Sequence, residues 1–284
     1  GENMEDTPGI TNRTNFVVPE RKKGEFRGSF RGTYNGTLTG AGTFVPVSGG
    51  VRCYWNGDWS EFEGTIAPLA NDGTNRQNKK SYTPSFNITN TKGFPKATLD
   101  LGSDQIVSNQ DPNSGKAYNV SVGHITGTGT LSGSGTYTSG LLDKNITAKF
   151  KSTSPLVKRG TGALRPGAGC ITGALTVEEG VLQFNSTDMT TPFISSVTLK
   201  EKGELEAAGL MGGLTMENGT MATLKKGQLS TPATLKSSAS VNVKQGATLR
   251  MVINSKTVFS KLEANFLTMN GTLKVELGSN YTPA

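Results

Sequence analysis

The densest grouping of chemically capable side chains in this 284-residue chain is the stretch Val51 to Ile66, VRCYWNGDWSEFEGTI. Tyr54, Trp55, Trp59 and Phe62 could stack on sugar rings while Asp58, Glu61 and Glu63 accept hydrogen bonds from the hydroxyls. The same residues have a purely structural reading, in which large aromatics at one end of a stacked fold plug its interior. Tyr54, Trp55, Asp58, Trp59 and Glu61 are therefore a candidate glycan contact, and the solvent exposure of Trp55 and Trp59 separates the two readings.

Other chemistries find less support. A Ser-His-Asp arrangement would have to use His124, the sole histidine, yet Gly123 and Ile125 beside it belong to a repetitive segment without a nucleophile elbow. His124 reads as structural or exposed. Polysaccharide cleavage needs paired carboxylates. Asp58 with Glu61, Asp100 with Asp104 and Glu178 with Glu179 are the candidates, and none sits in an Asp-x-Asp or calcium-loop pattern, so solvated turn charges account for them. One histidine and two distant cysteines, Cys53 and Cys170, cannot build the common tetrahedral metal sets, and no metal or cofactor is expected. The cysteines read as small buried side chains, with a disulfide between them as the alternative.

Lys and Arg number 29 against 22 Asp and Glu, a formal charge of +7. The basic residues are scattered, and Arg21, Lys22 and Lys23, the dense group, lie between Glu20 and Glu25. Without a helix, an aromatic platform or a basic stripe, nucleic acid is not an expected partner, whereas mild attraction to anionic glycans fits. No apolar run is long enough to span a bilayer, so membrane insertion of this segment is not expected.

The elements that must position these residues announce themselves in the second half. A phrase of apolar residues, a turn, then more apolar residues returns at Leu175 to Phe184, Val197 to Leu205, Leu214 to Leu224, Val241 to Leu249 and Leu267 to Leu277. The starts lie 22, 17, 27 and 26 residues apart, the length of one solenoid coil. Glycine at 37 residues, much threonine and only 33% apolar residues favour strands and turns over helices. A strand of four or five residues buries too little to stand alone. Stacked coils pair every backbone group with the coils above and below, about 4.8 Å apart, and alternate side chains form inward ladders. The expected fold is all-β: a right-handed, single-stranded parallel β-helix (solenoid) of three-sided coils, with glycine, asparagine or aspartate at positive φ in its turns. Inward ladders should start at Leu175, Val177, Leu182 and Phe184 and continue through Leu199, Leu214, Val243, Leu249, Leu267, Leu273 and Val275.

The first half reads as earlier coils of the same stack. Residues 1–24 form a polar lead-in or cap with a strand-like patch at Asn15 to Val18; 25–155 are glycine-rich early coils with loops; 156–284 are the regular coils. Phe26, Phe30, Tyr34, Leu38 and Phe44 return among glycines, strands are expected near Ser85 to Ile88 and Ala97 to Leu101, and Asn71 to Lys80 and Asn109 to Lys116 read as surface loops. No linker composition interrupts the chain, so residues 1–284 read as one domain, and Gly1 together with the Tyr281 to Ala284 ending suggests a piece of a longer protein. Asn12, Asn35, Asn87, Asn119, Asn145, Asn185, Asn218, Asn270 and Asn280 each precede x-Ser/Thr and are read as turn residues.

From Leu156 the segment LVKRGTGALRPGAGCITGALTVEEGVLQF resembles the autotransporter-associated β-strand repeat: a Lys-x-Gly-x-Gly-x-Leu start, a glycine-rich turn and an apolar strand closing on Gly-x-Leu. Lys158, Gly160, Gly162, Leu164, Gly180 and Leu182 match it; Arg165 and Pro166 stand where Thr-Leu is usual, which should interrupt the strand. GTLTGAGTF, GDWSEFEGTI, FPKATLDLG and ITGTGTLSGSGTY resemble the glycine-rich lead-in of Bacteroidetes versions of such surface proteins, so the resemblance runs from about residue 16 through most of the chain. It implies a right-handed parallel β-helix in a large secreted or cell-surface protein, adhesin-like, and no catalytic activity. The expected role is a non-enzymatic stem or display module, extracellular or at the cell surface. Its partners would be a host or bacterial surface glycan or protein and the neighbouring domains of its parent chain. A polysaccharide lyase or hydrolase, or a glycan-binding module, on the same scaffold is the alternative.

Overall fold

The computed structural model describes residues 10–12, 15–27, 31–48, 52–70, 85–226, 231–278 and 281–282. These contain strands and turns and no helix, and nearly every strand pairing is parallel, which makes the fold a β-solenoid. The chain divides into two compact units, Gly1–Leu142 and Asp143–Ala284.

In the first unit the coil over residues 31–48 carries three strands, Arg31–Tyr34, Leu38–Gly40 and Thr43–Ser48. Its first strand pairs in parallel with Arg52–Trp55, which pairs in turn with Ser85–Ile88. Phe44, Ile66, Leu99 and Ile125 hold one register position on four successive coils, and all four are buried. Each such rung covers the one before it, so a short strand gains a core only through its neighbours. The strand-like patch in the lead-in is the strand Phe16–Val18; the two expected central strands are Ser85–Ile88 and Phe94–Asp100.

The second unit follows the phrase register. Leu156, Leu175, Val197, Leu214, Val241 and Leu267 are Cα partners in sequence, so the starts of the recurring phrases are stacked directly on one another. A second ladder runs Ile146, Leu164, Leu182, Leu205, Ala222, Leu249 and Leu273. The turns inside the first four phrases take positive φ at Gly180 (77°), Glu201 (51°), Gly219 (82°) and Gly246 (79°). At Arg165 and Pro166 the strand is indeed cut short, and Leu164 makes isolated bridges to Ile146 and Leu182.

Two expectations need correction. Leu175, Val177, Leu182, Phe184, Leu199, Leu214, Val243 and Leu249 are buried, whereas Leu267, Leu273 and Val275 are 54%, 52% and 48% exposed. These three keep the ladder register, but they lie on the last described coil, where no further rung covers them. The aromatics of residues 54–62 are not an end plug: the strand Arg52–Trp55 has a coil on each side. The loop 71–80 and Phe30 lie outside the described residues, as does the side chain of Phe26.

Candidate functional site

Trp55 and Trp59 are 0% and 1% exposed and Phe62 is fully buried. Strand alternation turns Trp55 inward at the register position shared with Tyr34 and Ile88, and its ring lies 5.2 Å from Trp59, 5.6 Å from Phe86 and 6.2 Å from Phe94, centroid to centroid. Trp59 donates its indole N–H to the Gly36 carbonyl at 3.2 Å. Neither indole presents a face to solvent, so a glycan platform built on Trp55 and Trp59 is excluded by their place in the core. The two indoles belong to a cluster of rings that fills the interior here, with Tyr34 and Phe44 also edge-on to Trp59. Cys53 belongs to this core as well, where burial pushes its thiol up to about 12.

The polar members of the group face outward. Asp58 pairs with Lys92 and accepts the Ser60 hydroxyl at 2.6 Å, and these contacts hold its carboxyl at about 2. Glu61 pairs with Lys96 at 2.6 Å. Both ion pairs join residues 34 and 35 positions apart, so they tie neighbouring coils together. Tyr54 is half-buried, and its hydroxyl accepts a hydrogen bond from the Asn113 amide at 3.1 Å. The strand Arg52–Trp55 is thereby joined to the loop 109–117, whose Pro112 to Ala117 are exposed. That loop is closed by an antiparallel bridge from Gln110 to Ala117 and by the Asp111 carboxylate, which receives the Asn113 N–H and the Ser114 hydroxyl.

The other carboxylates are engaged locally. Asp100 accepts the Gly102 N–H at 3.1 Å, Asp104 accepts from Gln105 at 3.0 Å, and Glu178 meets Arg159 at 2.5 Å. Among the described residues no three His, Cys, Asp or Glu side chains gather as a metal site. His124 is buried at 9% exposure. Cys53 and Cys170 are free thiols, and Cys170 is half-buried rather than buried, its sulfur 3.5 Å from the Lys149 carbonyl.

Lys158 carries a role that sequence reasoning did not assign. It occupies the ladder position that later coils give to Val177, Leu199, Met216 and Val243, and it is 1% exposed. Its ammonium donates to the carbonyls of Arg159 (2.5 Å), Gly160 (2.6 Å) and Glu179 (3.3 Å), which caps the turn of its own coil and grips the turn of the next. Burial pushes the ammonium down to about 8, while Asp143 and Glu179 pull it upward. The glycines that follow it in the motif explain why the turn can approach: a Cβ on Gly180 would sit 2.5 Å from the Gly160 oxygen.

Side chains of Asn and Asp make a second kind of clip. Asn15 accepts the Thr37 N–H, Asn119 the Thr136 N–H, Asp143 the Thr161 N–H and Asn145 the Ala163 N–H, at 2.7 to 3.0 Å and across 17 to 22 residues, about one coil. Turn asparagines thus satisfy backbone donors of the following coil where the strand ladder lapses. Of the sequon asparagines, Asn87 is buried at 2% exposure, while Asn35, Asn119, Asn145, Asn185, Asn218 and Asn270 are exposed; Asn280 lies outside the described residues.

Set against models of known protein families and against curated proteins, the chain matches none.

Proposed function

We propose that the chain is a non-enzymatic β-helical stem or display module of an exported, adhesin-like bacterial surface protein. The observation that supports this reading best is the division of labour among the side chains. Inward residues form continuous apolar ladders, and outward acids such as Asp58, Glu61 and Glu178 are engaged in ion pairs between coils. A surface so arranged holds its loops in fixed positions, and the loop at 109–117, anchored on Tyr54, is the contact element of this reading. Exposed Asn113 and Lys116 with half-buried Tyr118 would meet a glycan or protein on a target surface; Lys116 stands 5.1 Å over the Tyr118 ring.

The test is a binding screen of the full chain against plant, host and bacterial glycans and surface extracts. It runs beside assays for reducing-end release and for unsaturated products, with and without calcium. The reading expects binding that Asn113→Ala or Lys116→Ala weakens, and no turnover. Turnover abolished by Asp58→Asn, Glu61→Gln, Asp100→Asn or Asp104→Asn would replace it with a carbohydrate-active enzyme.

A further inference from the structure

Resting on the display reading, we propose that the loop at 109–117 takes a carboxylate-bearing sugar of an acidic glycan, with Lys116 meeting the carboxylate and the Tyr118 ring meeting the C–H face of the same sugar. The loop lies well inside the chain. Ser108, from which it leaves the stack, pairs with Asn87 on the coil before and with Ser132 on the coil after, so the exposure of residues 112–117 is that of a segment with described coils on both sides.

The loop is built before any ligand arrives. The Asp111 carboxylate receives the Asn113 N–H at 2.9 Å and the Ser114 hydroxyl at 2.7 Å, the Gln110 side chain donates to the Gly115 carbonyl at 3.0 Å, and the Asp111 N–H closes the neck on the Lys116 carbonyl at 2.8 Å. From this frame the Asn113 amide reaches the Tyr54 hydroxyl, two coils back in the register Tyr54, Asn87, Ser108. The loop therefore crosses the coil between them, and Asn87 is 2% exposed although Phe86 and Ile88 on either side of it take the inward positions. Little freedom is left to lose on binding.

The chemistry at the foot of the loop selects the ligand. Lys116 stands 5.1 Å over the Tyr118 ring, and no carboxylate pairs with it among the described residues, whereas Lys92, Lys96 and Lys244 each hold an acid of a neighbouring coil. The loop's own acid, Asp111, is turned to the donors of Asn113 and Ser114. A cation–π contact at an exposed site is weak, so a carboxylate draws the ammonium off the ring at small cost. The same movement uncovers the ring, and a pyranose can then lay its C–H face against it. A neutral sugar carries no group that moves the lysine, and an acid without a ring gains nothing from the tyrosine. The net charge of +7 favours the approach of an anionic polymer to the chain as a whole.

Titration calorimetry of the full chain with oligogalacturonate and oligomannuronate, each beside its methyl ester, tests this, because acid and ester share their rings and differ in charge. Thermal melts verify that each variant is folded. At least one uronate should bind about fivefold more tightly than its ester, and added salt should erode the difference. Lys116→Gln should abolish the preference, Lys116→Arg should keep it, and Tyr118→Leu should weaken binding of the acid. No binding of either uronate, equal affinity for acid and ester, or a preference that survives Lys116→Gln would overturn the proposal. If neutral glycans or surface extracts then still bind in a way that Asn113→Ala weakens, the display reading stands without it; absence of any binding that depends on Asn113 or Lys116 would overturn both.

Discussion

Lys158 is where local polarity and position conflict. Every later coil puts Val, Leu or Met at that rung, yet here an ammonium is enclosed and satisfied by three backbone carbonyls. Lys158→Met keeps the volume, removes the donors to three carbonyls and also removes a desolvated charge, two effects of opposite sign at neutral pH. The pH dependence has a definite sign. The folded ammonium is at about 8, below the ordinary lysine value of about 10.4, so between those values the unfolded chain binds more protons and stability rises with pH. Relative to Lys158→Met, the wild-type chain should therefore gain stability between about pH 8 and pH 10; a flat difference would contradict the burial of the charged group. Asp58 acts in the opposite sense. Its folded carboxyl, at about 2, lies below the unfolded value, so its contribution is present above about pH 4 and is lost as pH falls through about 2. Because the pair with Lys92 is solvent-screened, Asp58→Asn should remove no more than about 1 kcal/mol at neutral pH and flatten the acid limb of the stability profile.

At the scale of the coil, the ladders decide what a substitution costs. Leu182 and Leu273 hold the same register position, but Leu182 is covered on both sides and Leu273 is half-exposed. Leu182→Ala should cost about 2 to 5 kcal/mol in equilibrium unfolding, and Leu273→Ala less than about 1.5 kcal/mol. Gly40 shows the tolerance of the turns. Its φ is 99°, and a Cβ there would sit 2.2 Å from the Val18 oxygen of the coil before it, so Gly40→Ala combines backbone strain with a clash. Its expected cost is more than about 2 kcal/mol, read as a lowered melting temperature. The phrase starts were legible in the sequence because Leu or Val recurs where chain register demands it. The inward turn of Trp55 and Trp59 was open between two readings because an indole can line a core or a surface equally well. Lys158 stands in a recognisable motif, but its enclosure is not legible there, since a lysine's burial depends on carbonyls brought close only by folding. The exposure of Leu267, Leu273 and Val275 was not legible either: they have the composition of an inner ladder, and what covers a rung is a property of its neighbour.

Over the whole molecule one rule of construction recurs in both units: parallel strands in register, inward apolar rungs and Asn or Asp clips at the turns. It was far easier to read in the second unit, where phrases return at 17 to 27 residues, than in the first, where the interval from Arg52 to Ser85 is 33 and glycine and threonine dilute the apolar signal. The central claim is the parallel register of the phrases, and cysteine pairing tests it most directly. Thr176, Thr198, Thr215, Asn242 and Thr268 are half-buried or exposed side chains on one register line across five coils. In a background with Cys53 and Cys170 replaced by alanine, cysteines at 176 and 198, 198 and 215, 215 and 242, or 242 and 268 should be joined by mild oxidation, because neighbouring rungs place their Cα atoms about 5 Å apart, within disulfide reach. Pairs shifted by two residues, such as 176 with 200, should link far more slowly. Efficient linkage of 176 with 183 would mean that the first phrase folds back on itself as an antiparallel hairpin, and would contradict the solenoid.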